Sequence, residues 1–263
     1  MGRKAFVPFL SAGDPDADTT LAILEKLPGA GADLIELGMP FSDPMADGPA
    51  VQASSLRALR AGANMHRTFD LVRKFRKADD ATPIVLMGYF NPIHAYGAAR
   101  FVKDAAAAGA DGLIVVDLPP EEDEVLRVPA TAQGLDIIRL ATPTSDAARL
   151  ARILAGAGGF LYYVSVAGVT GTKDFDESAV ADAVARIRAA TPLPVAVGFG
   201  VKTPDHAAAI ASIADAVVVG SAIVRRIEDR LDAPRAALVA DVVELCRALA
   251  ASTHAAQGDK VQA

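Results

Sequence analysis

The sequence contains one cysteine, Cys246, and few aromatic residues among its 263 residues. A single cysteine excludes an internal disulfide and any cluster of thiolate metal ligands. The four histidines are scattered singly, without the spacing that metal-ligating histidines show. We therefore expect no metal site, and we expect Cys246 to pack within an apolar helix.

The sequence also lacks a basic surface and a long apolar run. Its formal net charge is −6 and no cluster of Lys and Arg stands out, so nucleic acid is not an expected partner. No apolar run approaches the roughly 20 residues of a membrane helix, and the N-terminus lacks the apolar stretch of a signal peptide. We therefore predict a cytoplasmic protein that does not bind membranes.

Eight short runs rich in valine, isoleucine and leucine alternate with segments of helical periodicity. Strands buried on both faces give continuous apolar runs, and their alternation with helices indicates right-handed βαβ units. Eight such units predict a single-domain (β/α)₈ TIM barrel of the α/β class. The predicted strands are Ala5–Ser11, Leu34–Gly38, Pro83–Gly88, Gly112–Asp117, Asp136–Ala141, Phe160–Val164, Pro194–Gly198 and Ala216–Gly220.

The helices are predicted from apolar residues that recur at spacings of three and four. No linker or low-complexity block divides the chain, so residues 1–252 are assigned to one catalytic barrel domain and residues 253–263 to a polar C-terminal tail. The predicted helices are Thr19–Leu27, Met65–Arg76, Ala98–Ala108, Glu122–Thr131, Asp146–Ala155, Glu177–Ala189, Asp205–Ile213 and Ala236–Ala250.

An unusually long interval separates the second and third predicted strands, because Pro40–Ala61 lies between the strand end and the next helix. We interpret this interval as an extended loop, and loops on a rigid scaffold often carry function. Asp47 lies in its turn-rich first part, within reach of the barrel mouth. Asp43, which precedes Pro44, is explained as well by a structural role in the turn as by a functional role.

Glu36 is the foremost candidate for catalysis, because active sites of this fold lie at the carboxyl ends of the strands. Alternation places Glu36 opposite Ile35 and Leu37, so it points into the barrel if those two residues face the helices. Burial would raise its pKa toward the range of a general acid or base, with Asp47 as a second carboxylate. The alternative is a structural ion pair, for which an inward-facing Arg139 would be the partner.

Small residues follow the last three predicted strands at Gly168–Gly171, Gly198–Gly200 and Gly220–Ser221. Backbone N–H groups in such loops approach a phosphate closely, although each glycine pair taken alone is equally typical of a tight turn. No strand carries a lysine late enough for Schiff-base chemistry. The pattern therefore favours cofactor-free proton transfer on a phosphorylated small molecule.

Residues 35–49 resemble the hallmark sequence of tryptophan synthase alpha subunits, and the resemblance extends over nearly the whole chain. It implies a carbon–carbon lyase of tryptophan biosynthesis that cleaves indole-3-glycerol phosphate to indole and glyceraldehyde 3-phosphate. By this resemblance Glu36 is the catalytic acid/base that protonates indole C3. Asp47 is the second carboxylate, which accepts the indole N–H and stabilises the developing charge. Which group removes the substrate hydroxyl proton stays open.

The same resemblance implies the substrate-binding residues, although core packing also explains the apolar ones. The residues that match the indole pocket are Phe9, Met87, Leu140, Tyr162 and Phe199, and those that match the phosphate site are Gly171, Gly200, Gly220 and Ser221.

The family implies a beta-subunit partner in an alpha2beta2 heterotetramer, to which indole passes through a tunnel. No cofactor is expected in this chain, and pyridoxal phosphate is expected only in the beta subunit. Pro40, Asp43 and Pro44 match the loop that meets this partner. Two features depart from the family: the first strand begins near Ala5 without a preceding helix, and Val166-Ala167 replace an arginine that some members carry. We therefore expect an open or differently covered barrel floor, and altered closure of the Gly168–Gly171 loop, which we interpret as a lid over the site.

Three other functions compete with this interpretation. A stand-alone lyase would carry the same site residues and release free indole without a beta subunit. Another phosphate-binding barrel, such as an isomerase of the same pathway, would not need Glu36 and the acidic loop together. An inert barrel that only activates a partner has no reason to keep two buried carboxylates, which destabilise the fold.

Overall fold

The computed structural model describes residues 3–164, 177–198 and 200–256. Within them, nine parallel strands follow the order β5-β4-β3-β2-β1-β9-β8-β7-β6. Only Ile138 separates β5 from β6, so these two segments occupy one strand position and the barrel has the eight positions predicted. The strands are β1 Ala5–Ser11, β2 Ile35–Gly38, β3 Ile84–Gly88, β4 Gly112–Val115, β5 Asp136–Ile137, β6 Arg139–Ala141, β7 Leu161–Val164, β8 Val195–Gly198 and β9 Ala216–Val219.

The helices form the outer layer, and each of the eight predicted helices is present with boundaries shifted by a few residues at most, except at the C-terminus. Over the described residues the α-helices are α1 Ala17–Leu24, α2 Pro49–Arg60, α3 Met65–Arg76, α4 Phe90–Tyr96, α5 Ala98–Ala108, α6 Glu124–Ala132, α7 Ala147–Leu154, α8 Glu177–Ala190, α9 Pro204–Ile213, α10 Ser221–Glu228 and α11 Arg235–Ala255.

Alternation along the strands divides the core into two layers. Side chains that face outward pack against the helices, as Ile35 and Leu37 do on β2. Side chains that face inward fill the barrel, and this inner cluster consists of Val7, Val85, Ile114, Ile138, Tyr162, Ala196 and Val218. The (β/α)₈ prediction is confirmed, because the apolar runs are buried on both faces of each strand.

The predicted extended loop after β2 is wrong in its second half, because Pro49–Arg60 forms helix α2. Proline at the first helical position has a φ angle suited to a helix start. The buried face of α2 carries only small residues, Ala50, Ser54, Ser55 and Ala58, so it shows little hydrophobic periodicity. The short helices α4 and α10 were missed as well.

The predicted start of the tail at residue 253 falls inside helix α11, which continues to Ala255. Thr253 is fully buried, and its hydroxyl donates a hydrogen bond to the carbonyl of Leu249 at 2.9 Å. This bond satisfies the polar group and lets the helix continue through a residue that looks like surface. Cys246 is buried in the same helix, and burial raises its thiol pKa to about 12. Residues 257–263 lie outside the described residues.

The barrel floor is bordered by Lys4, whose ammonium donates to the carbonyl of Ala214 at 2.8 Å, and by Arg3, which pairs with Asp33. Residues 1–2 are not described, so the predicted open or differently covered floor stays a prediction. No helix in the described residues is long and apolar enough to cross a membrane. The cytoplasmic location stays a prediction.

Candidate functional site

Glu36 lies on the inner face of the barrel, where the parallel register pairs it with Phe9 on β1 and Val85 on β3. Its side chain is almost fully buried, at 2% exposure. Burial, reinforced by the nearby Asp47 carboxylate, raises the pKa of Glu36 to about 8. A carboxyl group of this pKa holds its proton at neutral pH and can donate it to a substrate.

The structural alternative, an ion pair between Glu36 and Arg139, is wrong. Ile138 belongs to the inner cluster, so its neighbour Arg139 points outward toward the helices. There its guanidinium pairs with Asp123 at the N-terminus of α6. Arg139 therefore leaves Glu36 as a buried acid rather than half of a salt bridge.

Asp47 reaches the barrel mouth from a turn in the loop between β2 and α2, where its N–H donates to the carbonyl of Pro44 at 3.0 Å. The carboxyl is half-buried, and this burial raises its pKa to about 6. A hydrogen bond from Tyr89 opposes the rise. Asp47 is therefore largely ionised at neutral pH, while Glu36 is largely protonated.

Tyr89 holds this loop in place, and the sequence interpretation did not identify it. Tyr89 follows β3 directly and is 3% exposed. Its hydroxyl accepts a hydrogen bond from the N–H of Ala46 at 3.0 Å and is also hydrogen-bonded to the side chain of Asp47. Its ring packs against Phe41 with centroids 5.5 Å apart. Its signal in the sequence was a polar aromatic residue at the carboxyl end of a strand.

The predicted indole-pocket residues that are described line the inner face near the two carboxyl groups. Phe9 and Met87 pack together, and Leu140 is the register partner of Tyr162. Tyr162 belongs to the inner cluster, and burial together with the negative charges of Glu36 and Asp47 raises the pKa of its hydroxyl. Phe199 lies outside the described residues.

Two aromatic rings of this pocket depend on neighbouring glycines. A Cβ atom at Gly38 would lie 2.7 Å from the ring of Phe9, and one at Gly198 would overlap the hydroxyl of Tyr162. Glycine therefore supplies the space that both rings occupy.

The described members of the predicted phosphate site, Gly200, Gly220 and Ser221, follow the carboxyl ends of β8 and β9. Gly220 is the N-cap of α10 and Ser221 is its first residue, so this helix begins directly after the carboxyl end of β9. Gly200 has a φ of 80°, and the space where a Cβ would stand is open. Gly171 and the Val166-Ala167 pair lie outside the described residues.

The predicted partner loop is only partly exposed. Asp43 is exposed, Pro40 is half-buried and Pro44 is buried. Met45, which the sequence interpretation did not name, is 85% exposed and is the most exposed large apolar side chain of the described residues.

Comparison with known proteins gives a consistent family. The family model described as tryptophan synthase alpha chain matches residues 1–254. The structure is similar to tryptophan synthase subunit alpha from Legionella pneumophila strain Paris, with 39% identity, a TM-score of 0.87, and coverage of 95% of this chain and 92% of that chain. It is also similar to Mycobacterium tuberculosis tryptophan synthase, with 36% identity, a TM-score of 0.87, and coverage of 96% and 93%.

Proposed function

This chain belongs to the tryptophan synthase alpha chain family, a family of lyases that cleave indole-3-glycerol phosphate, and from that membership we propose the roles of its own side chains. The observation that carries the proposal is the pair of carboxyl groups at the barrel mouth, Glu36 and Asp47. Their pKa values of about 8 and about 6 lie on opposite sides of neutrality. One is therefore an acid and the other an anion at the same pH.

Glu36 protonates indole C3, the carbon whose bond to the glycerol phosphate chain must break. Protonation makes the ring an electron sink, so the electrons of the breaking bond flow into it and indole leaves. Its burial among Phe9, Val85 and Tyr162 favours the protonated state before substrate arrives. The proton of the substrate hydroxyl leaves in the same cleavage, and the carboxylate of Glu36 is an acceptor within the same pocket.

Asp47 accepts the indole N–H and stabilises the positive charge that the ring carries once C3 is protonated. Tyr89 positions Asp47, because its hydroxyl bonds both to that carboxyl group and to the N–H of Ala46. A preorganised anion stabilises a developing cation without reorganising during the reaction. Tyr89 thus acts through Asp47 and not on the substrate.

The substrate lies with its indole ring in the apolar cleft and its phosphate at the start of α10. Phe9, Met87, Leu140 and Tyr162 contact the ring, and the resemblance to the family assigns Phe199 to the same pocket. The phosphate accepts hydrogen bonds from the N–H groups of Gly220 and Ser221, and Gly171 and Gly200 complete its binding site. These two ends fix indole C3 beside Glu36.

The partner is a beta subunit, and the assembly is an alpha2beta2 heterotetramer in which that subunit holds pyridoxal phosphate. Pro40, Asp43 and Pro44 lie on the contact loop, and exposed Met45 adds apolar surface to it. The loop also carries Asp47, so binding of the partner to this loop affects the position of a catalytic carboxylate. A stand-alone lyase that releases indole freely is the second candidate.

Indole release from indole-3-glycerol phosphate tests the proposal, measured for native protein and for Glu36→Gln with and without a beta subunit. We expect release that is slow alone, rises with the partner, and falls by at least about a hundredfold in Glu36→Gln, as loss of a general acid predicts. Glu25→Gln is the matched control, because Glu25 is exposed at the end of α1. Fast release without a partner would favour the stand-alone lyase, and full activity of Glu36→Gln would refute the assignment.

A further inference from the structure

Helices α2 and α10 carry the two ends of the proposed substrate site. Helix α2 begins at Pro49, shortly after Asp47, and its Gln52 side chain donates a hydrogen bond to the carbonyl of Asp47 at 2.8 Å. Helix α10 begins at Ser221, in the proposed phosphate site. The two helices pack against each other and against β1. A change in their relative position therefore changes the spacing between Asp47 and the phosphate site.

The first turns of both helices pack on one side chain of the proposed indole pocket. Ala50 of α2 and fully buried Val224 of α10 form a cluster with Phe9, which lies on β1. The backbone at Gly220 is equally close, because a Cβ atom there would lie 3.5 Å from Phe9. The N-terminal ends of α2 and α10 therefore meet at the wall of the indole pocket.

The C-terminal ends of the same two helices are joined by Asp14, Arg57 and Glu228, which we call the Arg57 network. Arg57 lies in the last turn of α2, and its Nε and Nη2 donate to the two carboxylate oxygens of Asp14 at 2.8 and 3.0 Å. Its Nη1 donates at 2.9 Å to Glu228, the last residue of α10. Because the donors of a guanidinium form a rigid planar fork, one side chain fixes the direction of both contacts.

Asp14 anchors the Arg57 network to the barrel. It lies between β1 and α1, and its side chain has no exposed surface. Its N–H donates to the carbonyl of Ser11 at 3.1 Å, and its own carbonyl accepts a hydrogen bond from the hydroxyl of Thr20 at 3.1 Å. The network therefore holds both helices against the end of the strand that carries Phe9.

We propose that the Arg57 network positions α2 against α10 and so sets the distance between the indole pocket and the phosphate site, an inference that rests on the proposed function. Its members are positioning residues, because their contacts lie at the opposite ends of these helices from Asp47 and Ser221. A ligand that binds at both sites at once gains affinity only when their spacing matches its length. A ligand that occupies one site does not depend on this spacing.

Binding of two ligands of different length to the full chain tests this role. Indole-3-propanol phosphate spans both sites and is not cleaved, because its propyl chain lacks the hydroxyl whose proton leaves in the reaction. Glycerol 3-phosphate occupies the phosphate site alone. In Arg57→Lys the charge stays but the fork of donors is lost, so the spanning ligand should bind about tenfold more weakly while glycerol 3-phosphate changes by less than about twofold. Titration calorimetry measures the first affinity, and competition against the spanning ligand measures the second.

Glu228→Ala breaks only the bond to α10 and leaves Arg57 paired with Asp14, which covers the case in which the lysine variant does not fold. It should weaken the spanning ligand about threefold, less than Arg57→Lys does, because the Glu228 carboxylate is partly exposed. The double variant should lose little more than Arg57→Lys alone, since both changes interrupt one network. Arg60→Lys and Glu244→Ala make the same changes at exposed positions of α2 and α11 and should keep the native affinity.

The outcomes separate this inference from the proposed function. Native affinity for the spanning ligand in Glu228→Ala and Arg57→Lys, or equal weakening of both ligands, would overturn the inference and leave the proposed function standing. Native protein that binds neither ligand would overturn the proposed function and this inference with it. Each titration is made well below the unfolding transition of the variant, so that lower stability alone does not change the affinity.

Discussion

At the residue scale, the barrel mouth sets two carboxyl groups to different protonation states by burial. Glu36 is enclosed on all sides, whereas Asp47 sits on a loop where Tyr89 donates a bond to it. Desolvation penalises the charged form of both groups, and the bond from Tyr89 offsets part of that penalty for Asp47 alone. The acid and the anion of the proposed reaction are therefore products of local packing.

The pH dependence of kcat/KM for indole release follows from these values. Activity needs protonated Glu36 and ionised Asp47, so kcat/KM should be bell-shaped, falling below about pH 6 and above about pH 8. Asp47→Asn removes a negative charge that raises the Glu36 pKa, so the residual activity of this variant should lose its basic limb at a lower pH. A basic limb that does not move would contradict this coupling.

Removing the hydroxyl of Tyr89 should act through Asp47. In Tyr89→Phe the bond that lowers the Asp47 pKa is lost, so the acidic limb of the profile should shift to higher pH. We expect kcat/KM to fall about tenfold, the cost of one bond to a charged group. Tyr96→Phe is the matched control, because the hydroxyl of Tyr96 bonds to Asp104 on α5. An unshifted acidic limb would mean that Tyr89 only packs the loop.

At the element scale, helix α2 shows where sequence patterns lose information. The bounds predicted for helices α3 and α5 match the structure to the residue, because large apolar side chains recur along their buried faces. The buried face of α2 holds alanine and serine, and one of its contacts is a hydrogen bond of 2.6 Å between Ser54 and Ser11. A helix that packs through small residues shows no apolar periodicity in its sequence, so its segment was predicted to be a loop. The role of Tyr89 was not predicted because its partner Asp47 is distant in sequence, and a sequence pattern does not show such a contact.

Arg57 ties α2 to the rest of the barrel, and its removal should destabilise the protein. Two of its nitrogens bond to the carboxylate of fully buried Asp14 at 2.8 and 3.0 Å, and a third reaches Glu228 on α10. Arg57→Ala leaves Asp14 buried without its cation, so we expect the free energy of unfolding to fall by about 3 kcal/mol. Urea denaturation measures it, with exposed Arg60→Ala on the same helix as the control. An equal effect of both substitutions would refute this role.

At the scale of the whole molecule, the strand order could be predicted because eight apolar runs alternate with helices, and the site could be located at one end of the barrel for the same reason. What the sequence could not supply is contact between distant segments. The ion pair between outward-facing Arg139 on β6 and Asp123 at the start of α6 is one such contact. Alternation gives the face of a side chain but not its partner.

The stability of the whole molecule against pH tests the central claim, that folding keeps Glu36 protonated at neutral pH. The folded-state pKa of about 8 exceeds the ordinary value of 4.5, so the folded chain binds more protons than the unfolded chain between these values. The stability that Glu36 contributes is present below pH 4.5 and is lost as pH rises through about 8.

The measurement is the free energy of unfolding of native protein and Glu36→Gln at several pH values from 5 to 9, with urea at constant ionic strength. Relative to Glu36→Gln, native protein should lose about 1.4 kcal/mol per pH unit until the folded-state pKa is reached, and the difference should then level off. A difference that stays constant over this range would show that Glu36 is already ionised in the folded protein, which would contradict its role as the acid.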